Sequence, residues 1–369
     1  MLADTLGIHH VTGIVGDAQE AIDFYAGALG LHPVTRTVNF EDILQHHLYF
    51  GDATGSPGTV ITCFPDPHAD PGRVGKPQVD AVAFRVPDGS LPYWHERLET
   101  DGIDVDGPLE RFDERFLRLE DPAGTGLELV ADADAGDLAA EPWPESDVPT
   151  DAAIRDLYGV SALSFNPYAT ASTLETLGFA YDAEGDGRVR YRAPGDRATV
   201  VDVRTGTQET SDGPGTDSDG LEGDSVAERA ASFGREGPGT VHHVAVRAES
   251  EEALAEWREL FDDRGYDVSR VKDRHFFHSL YVREPGGILF ELATETEGVA
   301  AERRPDAKVD DSTDSRGSTD LPLYLPEWFE ADRELVESQL PPLSTPNAST
   351  RGRIPSDGEN RDAEDERES

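Results

Sequence analysis

Cysteine, methionine and lysine are nearly absent: the chain has one Cys, Cys63, one Met and three lysines, Lys76, Lys272 and Lys308. A lone cysteine excludes an intramolecular disulfide framework, and the Val-Ile-Thr-Cys-Phe setting reads as a buried strand rather than a nucleophile's turn. No apolar run reaches membrane-spanning length, and Asp4 interrupts any hydrophobic stretch near the start, so a soluble, cytoplasmic protein is expected. Positive charge is scarce too, with 75 acidic residues against 32 basic ones and a formal charge of −43. That balance opposes binding to nucleic acid or to an anionic membrane, both of which need cationic surface.

The acidity is spread through every segment, a pattern that self-repels in dilute salt and is screened in concentrated salt, where the Debye length falls to about 3 Å. Such a composition resembles that of proteins from salt-accumulating halophiles. With 369 residues, 37% of them apolar, the chain can bury one or two cores.

What is present is repetition. Val-His-His-Val at 241 to 244 opens a strand that leads into an amphipathic helix from Ser250 to Arg264 and then three strands, the last ending in Leu-Phe-Glu-Leu at 289 to 292. The order strand, His-His, helix recurs from Gly7, where Ile-His-His-Val-Thr precedes a helix from Asp17 to Leu29. Two further copies lack the histidines: Gln78 to Val130, with Ser90 as expected helix cap, and Tyr158 to Val203, with a helix around Leu174 and Leu177 stopped by Gly178. The closing Asp-Pro-Ala-Gly then Leu-Glu-Leu of one copy matches Glu-Pro-Gly-Gly then Leu-Phe-Glu-Leu of another, placing Glu128 opposite Glu291.

The expected fold is therefore α+β, with four βαβββ modules in two domains forming two open barrel-like cups. The expected boundaries are 1–133 for an N-terminal domain and 134–151 for a Pro-Trp-Pro linker. A C-terminal domain follows at 152–298 with an acidic insertion at 205–238, then an extension at 299–343 and a disordered tail at 344–369.

A single strand histidine is usually structural, but recurrence at matched positions favours metal binding. His10, His243 and Glu291 form a two-histidine, one-carboxylate set of the kind that holds a borderline divalent metal and leaves adjacent positions open. Side chains alternate along a regular strand, so one member each of His9–His10 and His242–His243 should face the cavity. The repeat aligns Ala162 and Ala81 with His10 and His243, so modules two and three would keep only Glu128 and no metal. Modules one and four are expected to share the functional cup. The position in module one matching Glu291 falls near Thr62, and the histidines at 32, 46, 47, 68, 95, 275 and 278 have no repeat partners and read as ordinary surface or core residues.

Gly-Ile-His-His-Val-Thr at 7 to 12, Gly-Thr-Val-His-His-Val-Ala at 239 to 245, the run from Asp273 to Glu291 and Leu-Pro-Glu-Trp-Phe-Glu at 325 to 330 carry a family resemblance. Together they resemble the vicinal oxygen chelate superfamily, which joins glyoxalases, bleomycin resistance proteins and extradiol dioxygenases, and within it the ring-cleaving dioxygenases acting on hydroquinones. The resemblance spans roughly residues 5 to 343. It implies Fe(II), or Mn(II), on His10, His243 and Glu291, with Thr12, His242, Arg274 and Tyr281 around them. It also implies an extradiol-type, non-haem reaction of a small aromatic with O2, in which His242 or Tyr281 moves a proton and Arg274 stabilises an anion. Rivals are a catechol dioxygenase, a glyoxalase-like metal isomerase needing a further acidic ligand, and a metal-free binding or resistance protein. Oligomeric state stays open, a homo-oligomer included.

Overall fold

The computed structural model describes residues 2–138, 140–205, 232–300 and 321–346. Most of the 205–238 insertion, of the stretch leading to Asp320 and of the 344–369 tail lies outside the described residues.

Four strands open the chain: β1 (Ile8–Val15), β2 (His32–Asn39), β3 (Asp42–Gly51) and β4 (Val60–Pro65). They are followed by β5 (Gln78–Pro87), β6 (Val105–Arg111), β7 (Glu114–Glu120) and β8 (Gly126–Asp132), then by β9 (Asp156–Leu163), β10 (Ala180–Gly185), β11 (Arg188–Arg192) and β12 (Val200–Arg204). The last group is β13 (Thr240–Ala248), β14 (Asp267–Val268), β15 (Lys272–Asp273), β16 (His278–Arg283) and β17 (Leu289–Thr294). Among the described residues these strands make two curled half-barrel sheets in a mixed α+β fold. One runs β14-β16-β17-β13-β1-β4-β3-β2 with β15 on β16, and the other β10-β11-β12-β9-β5-β8-β7-β6. The first sheet thus joins the two ends of the chain that carry the paired histidines, through the antiparallel pairing of β1 with β13.

A helix follows the first strand of each group. Helix α1 (Ala18–Ile22) is capped by Asp17, which accepts from the amides of Gln19 at 2.7 Å and Glu20 at 3.0 Å. It continues through a wider π-type turn, Asp23–Ala28, that buries Phe24 and Tyr25. Helix α2 (Leu91–Thr100) packs Leu91, Trp94 and Leu98 inward, but Ser90 does not cap it as expected: its hydroxyl donates to the Pro87 carbonyl at 2.7 Å, because its backbone is already helical. Helix α3 (Pro167–Leu177) ends at Gly178, whose φ of 99° is one that glycine adopts without strain. Helix α4 (Glu251–Asp263) has Ser250 as a true cap and buries Leu254, Trp257 and Phe261. Helix α5 (Arg333–Gln339) belongs to the C-terminal segment, which straps β2: the Arg36 guanidinium donates to the carbonyls of Leu321 and Pro341, both at 3.0 Å. Cys63 is fully buried in β4, as the sequence implied. No helix among the described residues is long and apolar enough to cross a membrane.

Candidate metal centre

His10 on β1, His243 on β13 and Glu291 on β17 come from three adjacent strands at the middle of the first sheet. The three residues are 1 to 3% exposed, and one ligand atom from each lies within 4.8 Å of the others. The Glu291 Oε2 atom stands 2.8 Å from His243 Nε2 and 3.2 Å from His10 Nε2, yet it is satisfied by no hydrogen bond in line. Three lone-pair donors converging in a buried place, with one carboxylate oxygen orphaned, fit a divalent cation.

The paired histidines sit on bulges. Thr12 opposes His243 and Gly13 opposes Val241, so His242 is an extra residue on β13; at the other end Ile8 opposes Val246 and His10 opposes Ala245, so His9 is extra on β1. Strict alternation fails there. His10 and His243 face the centre as expected, but His242 also lines the cavity, which the regular-strand argument did not allow.

The bulges put neighbouring rings in contact, with His9 Nδ1 2.9 Å from His10 Nδ1 and His242 Nδ1 2.7 Å from His243 Nδ1. One nitrogen of each pair must donate. If the inner ring donates from Nδ1, its Nε2 keeps a lone pair aimed at the centre, which is the form a metal takes. Burial pushes His243 down to about 4 against the pull of Glu291, so the ring is neutral near pH 7. Burial alone would raise Glu291, but the adjacent His243 and His10 hold it well below the usual carboxylate range.

The surrounding cavity is about 480 Å³, of single-ring size and lined by aromatic and polar side chains. Arg274 donates to the Tyr281 hydroxyl at 3.2 Å and to Glu41 at 3.1 Å, and the Tyr281 ring meets His243 edge-on at 5.2 Å. Burial and the Glu291 charge push Tyr281 well above the ordinary tyrosine range, so its hydroxyl keeps its proton. Thr12 lies 3.0 Å from His243 Nε2 and 2.8 Å from Thr62.

Residues that the sequence reading passed over also line this space. His47, read as an ordinary histidine, is wedged between the rings of Tyr49 and Phe64, each centroid 4.3 Å away, and faces the cavity with Glu41 and Lys272. The spacing of His47 and Tyr49 on alternate positions of β3 was the available signal.

The second sheet repeats the plan without the metal set. Ala83 pairs with Glu128 as Ala245 pairs with Glu291, so Glu128 and Ala81 hold the positions expected of them. The counterpart of His10 is Gly159 rather than Ala162: Gly159 pairs with Val200 on β12 as His10 pairs with Val60 on β4, and Ala162 falls opposite Val79 as Gly13 falls opposite Val241. The copy offers no histidine to anchor a sequence alignment, which explains the slip. By the same register Asp202 replaces Thr62, so a second carboxylate is present. Arginines neutralise both: Arg111 grips Glu128 at 2.6 and 3.0 Å, and Arg190 grips Asp202 at 2.8 and 3.0 Å.

Comparison with known proteins follows the same lines. The model of the Glyoxalase/Bleomycin resistance protein/Dioxygenase superfamily matches residues 7–129 and 174–292. MhqO of Bacillus subtilis (strain 168), whose name proposes a ring-cleaving dioxygenase, is 37% identical over 344 residues, covering 93% of this chain and 98% of its own. The chlorohydroquinone/hydroquinone 1,2-dioxygenase of Sphingobium indicum is 32% identical over 307 residues, covering 81% and 88%. A crystal structure from B. subtilis subsp. subtilis str. 168, described as a proposed dioxygenase, superposes with a TM-score of 0.79 at 35% identity, covering 93% of this chain and 99% of that one. The chain belongs to the Glyoxalase/Bleomycin resistance protein/Dioxygenase superfamily.

Proposed function

We propose that this chain is a ring-cleaving dioxygenase for hydroquinone-type aromatics, with Fe(II) held by His10, His243 and Glu291. The observation that carries the proposal is the buried convergence of two imidazoles and one carboxylate with an orphaned oxygen. Similarity to proteins named for hydroquinone and ring-cleaving activity supports the substrate class. The chemistry such an ion supplies when bound is electron transfer between an ionised phenol and dioxygen held side by side. In the net reaction both oxygen atoms enter the product and the bond between a hydroxyl-bearing ring carbon and its neighbour breaks, so no outside reductant is needed.

The protein's own groups do the rest. Tyr49, Phe64 and Phe277 wall a slot for a flat ring. Arg274 places a fixed positive charge near the Tyr281 hydroxyl, where negative charge on oxygen is stabilised, and Tyr281 donates a hydrogen bond to the same region. His242 turns Nδ1 toward His243 and accepts there, which leaves its proton on Nε2, the atom that gives a proton to the substrate. Thr62, at the register position of Glu291, presents a hydroxyl already engaged by Thr12 and His47. Among the described residues the centre therefore has no second carboxylate of the sort a metal isomerase uses as base.

The test is anaerobic loading with Fe(II), and in parallel with Mn(II), in concentrated salt, followed by oxygen uptake with hydroquinone, chlorohydroquinone and catechol. Equimolar oxygen consumption with a hydroquinone and loss of aromatic absorbance is the expected result. A metal-loaded protein that consumes no oxygen with any phenol overturns the proposal. Replacing His242 with Gln should lower kcat while metal content is retained; full turnover would remove its proton-transfer role.

A further inference from the structure

His47 lies outside the ligand set, but an unbroken series of hydrogen-bonding groups joins it to the centre. Tyr49 Oη is 3.2 Å from His47 Nδ1, His47 Nε2 is 2.9 Å from Thr62 Oγ1, Thr62 Oγ1 is 2.8 Å from Thr12 Oγ1, and Thr12 Oγ1 is 3.0 Å from His243 Nε2. Thr12 and Thr62 are fully buried, so no water competes for these contacts. Each member can donate and accept, and the direction of the whole series is fixed once one proton is placed.

The second sheet shows what the same positions do when they serve structure alone. Register matches Tyr49, His47, Thr62 and Thr12 with Arg190, Arg188, Asp202 and Ser161. There both arginines are paired with Asp202, Arg190 at 2.8 Å and Arg188 at 3.4 Å, and Arg188 also donates to the Ser161 hydroxyl at 3.0 Å. Arginine donates only, so that set is locked in one direction and cannot reorganise. At the candidate centre the four positions instead hold groups whose protons can be arranged two ways.

We propose that His47 is a positioning residue that, through Thr62, sets the Thr12 hydroxyl as a hydrogen-bond donor into the centre formed by His10, His243 and Glu291. This rests on the dioxygenase reading for its consequence but not for its geometry. The neutral ring has its proton on Nε2 and accepts from the Tyr49 hydroxyl at Nδ1. Nε2–H then donates to Thr62, whose own proton finds its acceptor in Thr12. The Thr12 proton is left to point at His243 Nε2, or at an anionic substrate oxygen once that lone pair is engaged. Burial agrees with a neutral ring, since it and the neighbouring His10 and His243 push His47 well below its ordinary value.

Two measurements test this. In the full chain labelled with 15N-histidine, with the resonance assigned by its loss in His47→Phe, the expected spectrum is that of the Nε2-protonated tautomer with Nδ1 as acceptor. The Nδ1-protonated tautomer overturns the inference whatever the enzyme does. In the metal-loaded protein, His47→Phe keeps the ring between Tyr49 and Phe64 but cannot donate; it should retain metal and lower kcat/KM with a hydroquinone about tenfold, as should Thr12→Val. The double variant should be no worse than Thr12→Val alone, and His47→Gln, whose amide can donate, should recover most of the loss. Losses that multiply in the double variant, or a His47→Phe protein as active as the parent, overturn it. If the unaltered protein consumes no oxygen with any phenol, the dioxygenase reading fails and the tautomer alone decides the role of His47.

Discussion

Glu291 is buried, and burial keeps the neighbouring His243 imidazole neutral, so that ring brings no proton to balance the carboxylate. A divalent cation resolves this, and the carboxylate's charge should dominate affinity. Replacing Glu291 with Gln preserves volume and removes that charge, and Fe(II) or Mn(II) affinity measured by equilibrium dialysis is expected to drop at least about 100-fold. An unchanged affinity would place the metal elsewhere. A second residue-scale consequence concerns acid. Burial, followed by the Arg36 charge, pushes His46 from 6.5 down to about 4. Between those values the unfolded chain binds a proton that the folded chain refuses, so stability present above pH 6.5 is lost as pH falls toward 4. The full shift corresponds to up to ~3 kcal/mol. Urea unfolding of His46→Phe at neutral pH and near pH 4.5 should show a shallower loss than the parent; an identical loss would mean His46 is not the titrating group.

Ser250 and Ser90 both precede an apolar helical face, and no neighbouring residue type separates them. Their hydrogen bonds do: Ser250 accepts from the Ala253 amide at 3.2 Å, while Ser90 is turned to Pro87. Ser250→Ala should therefore cost about 1 kcal/mol, read as a lower Tm. Gly178→Ala should cost more, because a Cβ there would stand 2.3 Å from the Asp4 Cβ on a backbone with φ of 99°. A Gly178→Ala protein as stable as the parent would show that this helix end can shift freely. The helix start at Asp17, the helix stop at Gly178, the buried strand holding Cys63 and the His10, His243, Glu291 convergence were legible because each depends on local chemistry or on a repeat. The bulges at His9 and His242 were not, since an extra residue is defined only against the opposing strand, more than two hundred positions away in sequence. The same holds for His47: its role depends on Thr62 across β3 and β4 and on Thr12 across β4 and β1. The π-type turn in α1 carries no sequence mark that we can identify.

Across the molecule, charge is placed by depth. Inside the second sheet, Arg111, Arg188 and Arg190 neutralise Glu128 and Asp202 at contact distance, where salt has little access. Outside, carboxylates outnumber the cations set against them on helix α4. Helix α4 exposes Glu251, Glu252, Glu256, Glu259, Asp262 and Asp263 against a single arginine, Arg258. The first two sit favourably at the positive end of the helix dipole, whereas Asp262 and Asp263 lie at its negative end and add to the repulsion. With a formal charge of −43, folding concentrates like charges that the unfolded chain keeps apart. Raising KCl from about 0.1 M to about 1 M shortens the Debye length from ~10 to ~3 Å and should increase the unfolding free energy markedly. Specific ion binding could produce the same trend, so the decisive comparison is a variant carrying Glu256→Gln, Glu259→Gln, Asp262→Asn and Asp263→Asn. If repulsion governs the trend, this variant is more stable than the parent at low salt and the two converge as salt rises. Parallel salt curves for the two proteins would show that the helix charges are not what salt relieves, and a flat curve for the parent would refute surface repulsion as a determinant of its stability.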